Sequence, residues 1–341
     1  MTSVVGPAPS SATWARGAGL LAAVGALAVA VFLSVTIGSR DVGIDDVVAA
    51  LGGSTEGFDR AAVATRLPRT LLAVLAGAAL AVSGAVMQGV TRNPLADPGI
   101  LGVNMGASLA VVTGLVFFSL SSATSYLWVA ISGAGVTAVF VYAVGSLGRG
   151  GASPLKLALA GAATSAALVS FVSAVALPRS DLAGGIRSWL VGGVGGATFE
   201  RTSMILPFLI VGGALCLASA RSLNSLALGD DLAAGLGERV ALVRATSALG
   251  AVVLCGAVTA VAGPIGFVGL VVPHVFRLLV GVDHRWLLPY CAVGGAVLLT
   301  VADVAGRIVA RPAEIDVGII TALLGAPFFI AIVRRRRVSA L

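Results

Sequence analysis

The 341-residue chain is poor in charge: only 11% of its residues are Asp, Glu, Lys or Arg. Soluble domains carry about 25%, so an ordinary soluble fold is excluded. Of the 22 basic residues all but Lys156 are arginine, and Lys156 sits in Ser-Pro-Leu-Lys rather than after a glycine-rich loop. The phosphate cradle Gly-x-x-x-x-Gly-Lys is therefore missing, and ATP is not bound through it. Carboxylates are absent from the interiors of the apolar runs: Asp303, Glu314 and Asp316 gather near one end of such a run, and the others fall in polar loops. That disfavours a carrier driven by protons or sodium, which needs membrane-buried acids. Cysteine is scarce too. Cys216, Cys255 and Cys291 are far apart, each within an apolar run. They make neither a disulfide framework nor a zinc spacing and read as small buried hydrophobes. His274 and His284, the only histidines, have dissimilar surroundings, and a lone histidine lacks the further ligands a metal site requires. No nucleophile–base pair suggests an enzyme. No interleaving of basic and aromatic residues suggests a nucleic-acid surface.

What the chain has in abundance is apolar length, with 58% hydrophobic residues and a mean hydropathy of +1.04. A bilayer needs about 20 apolar residues per helix, and on that measure the chain reads as an all-α polytopic membrane protein of about ten spans. Residues 1–15, rich in Ser, Ala and Pro, are expected to be disordered. Residues 16–337 form one transmembrane domain, and 338–341 are a tail. The first uncharged run, 17–39, exceeds the apolar core of a secretory signal and is read as a retained span. An acidic loop follows, in which Ile44 to Leu51 has the pattern of a short amphipathic helix lying on the membrane. The piece from Ser188 to Phe199 is too short to cross and is expected to be re-entrant or interfacial. Both termini fall on one side, and a moderate excess of basic residues there makes that side cytoplasmic.

The stretch from Arg66 to Gly114 organises the rest. Pro68 suits a first helical turn, where its missing N–H is no loss. Gly77, Ala81, Ala85 and Gly89, four apart, give the helix a small-residue face for a close neighbour. After the elbow Arg-Asn-Pro-Leu-Ala-Asp-Pro-Gly (92–99), Asp97 is placed to cap the next helix, with Pro98 at its first position. Gly102, Gly106, Ala110 and Gly114 repeat the four-residue spacing, as do Ala158, Ala162, Ala166, Ser170 and Ala174. Ser83-Gly-Ala-Val86 is echoed by Cys255-Gly-Ala-Val258, a weak hint of an inverted repeat.

Arg-Leu-Pro-Arg (66–69), Ser-Gly-Ala-Val-Met-Gln (83–88) and the 92–99 elbow open a series of ordered motifs. It continues with Ser222 to Gly229, Gly263-Pro-Ile-Gly-Phe-Val-Gly-Leu-Val-Val-Pro-His274, Asp283-His-Arg-Trp286, Ala302-Asp-Val-Ala-Gly-Arg307 and Leu324-Gly-Ala-Pro327. Together they resemble the permease subunit of the type II ABC importers that take up ferric siderophores, haem and cobalamin, over essentially residues 16 to 337. The elbow and Asp-His-Arg-Trp are most similar to ferric siderophore permeases. The resemblance implies a permease of the cytoplasmic (inner) membrane with no ATPase site of its own, paired with an identical or homologous permease. Two ATPase subunits would bind ATP and Mg, and a substrate-binding protein would deliver the cargo. The cargo would be a ferric siderophore, with cobalamin or haem as alternatives, and an ATP-independent channel is the less favoured class.

By the same resemblance, Arg66, Arg69 and Arg307 would face outward and engage acidic residues of the binding protein. The segment from Arg221 to Glu238 would couple to the ATPase through Leu228, Gly229, Asp230, Ala234, Gly235, Leu236 and Gly237. Asn93, Leu95 and Ser153 would close the cytoplasmic end of the pathway, although Pro154 departs from the hydroxyl residue found in relatives.

Overall fold

The structure is a computed structural model. It describes residues 10–38, 42–54, 57–120, 122–147, 154–179, 186 and 189–338. All regular elements among them are helical: α1 (Ser10–Thr36), α2 (Ile44–Leu51), α3 (Phe58–Thr91), α4 (Val103–Phe118), α5 (Ala123–Ser146), α6 (Pro154–Ala176), α7 (Phe199–Ala218), α8 (Ala220–Ala227), α9 (Asp230–Gly235), α10 (Val240–Ala262), α11 (Val268–Val280), α12 (His284–Val309) and α13 (Val317–Val338), with a 3₁₀ turn at Pro98–Leu101. Among the described residues seven helices are long and apolar enough to cross a membrane, and α4, α11 and the apolar part of α13 are shorter apolar helices. The chain is thus a multi-pass, all-helical bundle with the ten apolar helices that the sequence pattern predicts.

α3 is the axis. At about 1.5 Å per residue its 34 residues reach well past the ~30 Å hydrocarbon core of a bilayer. It packs most extensively on α12, and also on α10, α11 and α1. The small-residue face makes this possible. A Cβ on Gly77 would collide with the backbone of Gly295 on α12, and one on Gly84 with the backbone of Gly269 on α11. Ala81 and Ala85 are wholly buried. Gly106 of the second stripe lies in the same way against Gly133 and Thr137 of α5. The third stripe differs, because Ala162, Ala166, Ser170 and Ala174 lie exposed on the outer face of α6.

One expectation about helix starts is corrected. α3 begins at Phe58, and Pro68 lies buried inside it rather than in its first turn. The preceding residues are ordinary helix formers, and Val63 is wholly buried in a small cluster with Val35, Val47 and Ala50, so packing of α1 and α2 outweighs the lost backbone bond. α1 begins at Ser10, ahead of the span start at residue 17 that the uncharged run suggests.

Asp97 does act as a cap, its Oδ1 accepting the Gly99 N–H at 2.8 Å, but what it caps is the 3₁₀ turn. Gly102, at φ +69°, then resets the backbone before α4. α2 has the expected bounds, and α10 ends before Gly263-Pro264 as the sequence indicates. The short piece around Gly192 is held from two sides: Gly193 N donates to Ala262 O at 2.8 Å, and Gly318 N donates to Gly192 O at 3.0 Å. Ser83 Oγ donates to Ala251 O at 2.7 Å, so the two echoed segments lie on helices that pack against each other.

Candidate functional site

The residues singled out in the sequence separate to opposite ends of the bundle. Arg66, Arg69 and Arg307 meet at one end, where α1 finishes. The last carbonyls of a helix have no partner within it, and α1 brings no basic residue of its own to its final turn. Other elements supply them. Arg66 Nη1 donates to Val35 O and Thr36 O at 3.1 and 3.0 Å. Arg307 Nη1 donates to Ser34 O and Ile37 O at 2.9 and 3.2 Å, and its Nη2 to Ser34 Oγ at 2.7 Å. Arg311 donates to Gly38 O. Three cations thus sit at the negative end of the α1 dipole, the favourable placement.

Counter-charges for Arg307 and for neighbouring Arg69 come from the α12 end and the loop beyond it. Asp303, fully buried, accepts a fork from Arg69 (Nε at 3.0 and 3.1 Å, Nη2 at 2.8 Å) and pairs with Arg307 at 3.2 Å. Glu314 takes Arg69 Nη1 at 2.5 Å. Nearby, burial raises the carboxyl of Asp316 above its ordinary range, opposed by the charge of Arg69. Arg66 and Arg307 are 5% and 1% exposed. A guanidinium beside unpaired carbonyls is drawn inward because it satisfies several at once. Arg69, with its partner Glu314 at the rim, is the one nearest solvent.

The elbow and the segment between α7 and α10 form the other end. α3 closes on Arg92, in the left-handed region at φ +48°. Asn93 then makes a tight local turn, its Oδ1 accepting the Leu95 N–H at 3.0 Å. Asn93 and Leu95 are half-buried, and Ser153 lies outside the described residues. Beyond α8 the chain breaks at Gly229, where φ is +113°, forms α9, and turns at Gly237, where φ is +88°. Leu228, Leu232 and Leu236 are 59%, 62% and 66% exposed, while Ala233 behind them is fully buried. Leu232 completes a ridge of leucines four residues apart; the sequence reading passed over it, although the spacing is visible there. Asp230 pairs with Arg92 and with Arg244, the latter at 2.9 Å. Those two arginines also escaped sequence reasoning, because nothing local links 92, 230 and 244.

His284 belongs to this end. It is 5% exposed, and Asn224 Oδ1 accepts both its backbone N–H (2.9 Å) and Nδ1 (2.8 Å). Asn224 Nδ2 donates to Asp283 at 2.7 Å, and Asp283 caps α12 while pairing with Arg285. The Arg285 side chain, more than any other partner, holds the Asp283 carboxyl well below the usual range. His274 is elsewhere, edge-on to Phe328, so the two histidines share no site. Among the described residues no three His, Cys, Asp or Glu side chains gather as metal ligands.

The chain is 43% identical over 311 residues to the ferric enterobactin transport system permease protein FepD of Escherichia coli, covering 91% of this chain and 93% of that one. It is 44% identical over 321 residues to the iron(3+)-hydroxamate import system permease protein FhuB of Bacillus subtilis, covering 93% and 83%. Among solved structures, a metal-chelate type ABC transporter in an inward-facing conformation superposes with a TM-score of 0.78 at 28% identity, covering 94% of this chain and 99% of that one. The FecCD transport family matches residues 26–335, and the chain belongs to it.

Proposed function

We propose that the chain is the permease subunit of an ATP-driven importer that carries a ferric siderophore across the cytoplasmic membrane. The observation that carries this reading is the exposed leucine ridge around α9. Leu232 on α9, with Leu228 just before the Gly229 break and Leu236 just after the helix, is held out of the fold, and the three offer an apolar docking surface to a partner. The motor belongs to that partner, since this chain lacks the nucleotide cradle. The elbow end is then cytoplasmic, with both termini, and two ATPase subunits holding ATP and Mg dock there.

The arginine end faces outward and receives the substrate-binding protein. Arg69, its fork taken by Asp303 and its Nη1 by Glu314, lies nearest that face and braces the surface the binding protein meets. Arg66 and Arg307 act by fixing the end of α1 beside it. The exposed small-residue face of α6 accepts a second permease, identical or homologous, with the pathway between the two. Asn93 and Leu95 close that pathway at its inner end, together with Ser153. The pathway contributes no covalent chemistry, because the iron travels within its chelate.

The test is to purify the permease with its ATPases and compare Leu232→Glu. A carboxylate on the ridge is expected to release the ATPase subunits and abolish iron-chelate uptake while the permease remains in the membrane at normal level. Retained ATPases and full uptake would reject the reading. Cobalamin and haem are the alternative cargoes, and uptake of each by the same wild-type assembly separates them.

A further inference from the structure

The last turn of α3 touches both halves of the coupling segment, by two different kinds of contact. α8 reaches it by packing. Leu223 is fully buried, and a Cβ placed on Gly89 would lie 2.8 Å from His284 Nε2 and 3.3 Å from Leu223 Cδ2. His284 is itself held to α8 by Asn224. α9 reaches the same turn by charge, because one oxygen of Asp230, Oδ1, serves Arg92 at the end of α3 and Arg244 on α10. The chain leaves α3 immediately after Arg92, with Asn93 N still bonded to Gln88 O at 3.2 Å.

We infer that the turn Gly89 to Arg92 is the receiver through which the coupling segment moves the elbow, with Arg92 as a positioning residue tied to α9 by Asp230. This rests on reading α9 as the ATPase dock. A push on α9 is carried by the ion pair to Arg92 and hence to Asn93 and Leu95, while Leu223 and His284 bear on Gly89 from the side. The side chains of Asp230, Arg92 and Arg244 are 46%, 35% and 25% exposed. A wet ion pair of this kind is weak and remakes readily, as a link that must shift in each cycle requires. Docking on the leucine ridge beside it removes water and tightens the pair at the moment force is applied.

The experiment uses the whole importer in proteoliposomes, reading iron-chelate uptake and ATP hydrolysis from the same samples. Arg92→Gln is expected to keep its ATPases and hydrolyse ATP within about twofold of wild type, while uptake per ATP falls about tenfold, within the span of known coupling effects. Arg92→Lys retains most of the coupling. Arg92→Asp is worse than Arg92→Gln, because it sets two carboxylates together. A normal uptake-to-hydrolysis ratio in Arg92→Gln, or an Arg92→Asp variant no worse than Arg92→Gln, overturns the relay. Leu232→Glu separates the two readings: if it sheds the ATPases while Arg92→Gln stays coupled, only the relay falls. If it keeps the ATPases and full uptake, the docking reading falls with it.

Discussion

Asp303 shows how much a single carboxylate can hold. It is buried between Arg69 and Arg307 and answers both. Removing one member of a buried ionic cluster leaves charge without compensation, at a cost of about 3–5 kcal/mol. Asp303→Ala is therefore expected to lower the melting temperature of the detergent-purified permease sharply. Asp283 gives the pH counterpart. Its carboxyl is depressed in the folded protein, chiefly by the Arg285 side chain. Its contribution is thus fully present above the unfolded pKa of about 3.9 and is lost as pH falls below it. Melting curves between neutral and acid pH should show an acid limb that is shallower in Asp283→Ala, and identical limbs would refute the assignment.

Among the elements, α3 is decided by its glycines. A side chain at Gly84 meets the backbone of Gly269, which cannot move aside as a flexible side chain does. Gly84→Val is expected to cost about 1–3 kcal/mol or more through overpacking. Gly25 and Gly135 sit within α1 and α5 with nothing near a new Cβ, so Gly25→Ala and Gly135→Ala should be neutral or gain up to about 1 kcal/mol in helix propensity. Thermal melting of the three variants checks the contrast.

What the sequence revealed at this scale, and what it hid, follow one division. Local chemistry was legible: the bounds of α2, the stop at Gly263-Pro264, the Asp97 cap and the close faces of α3 and α4 all depend on neighbours in the chain. The start of α3 was hidden because Pro68 is a local signal overridden by packing from α1 and α2. The arginine end was half legible. The three arginines stand out in the sequence, but the carbonyls of Ser34 to Gly38 that draw Arg66 and Arg307 inward lie on a distant helix with no charge to betray them. The Asp230 link was invisible for the same reason. Gly229 was visible as a break, yet its φ of +113° makes any substitution there a change of backbone, so the exposed Leu232 is the cleaner probe of docking.

At the scale of the whole molecule, the bundle separates a charged, internally braced end from an end that presents an apolar ridge and a jointed elbow. That polarity is what a subunit needs if cargo is delivered at one face and work is done on it from the other. The most direct measurement is iron-chelate accumulation by proteoliposomes holding the permease with its ATPases and binding protein, with ATP or a non-hydrolysable analogue at the ATPase face. Accumulation against a gradient that requires hydrolysable ATP and disappears in Leu232→Glu is the predicted result. Equal uptake with the analogue, or by the permease alone, would contradict the account and make the chain a passive channel.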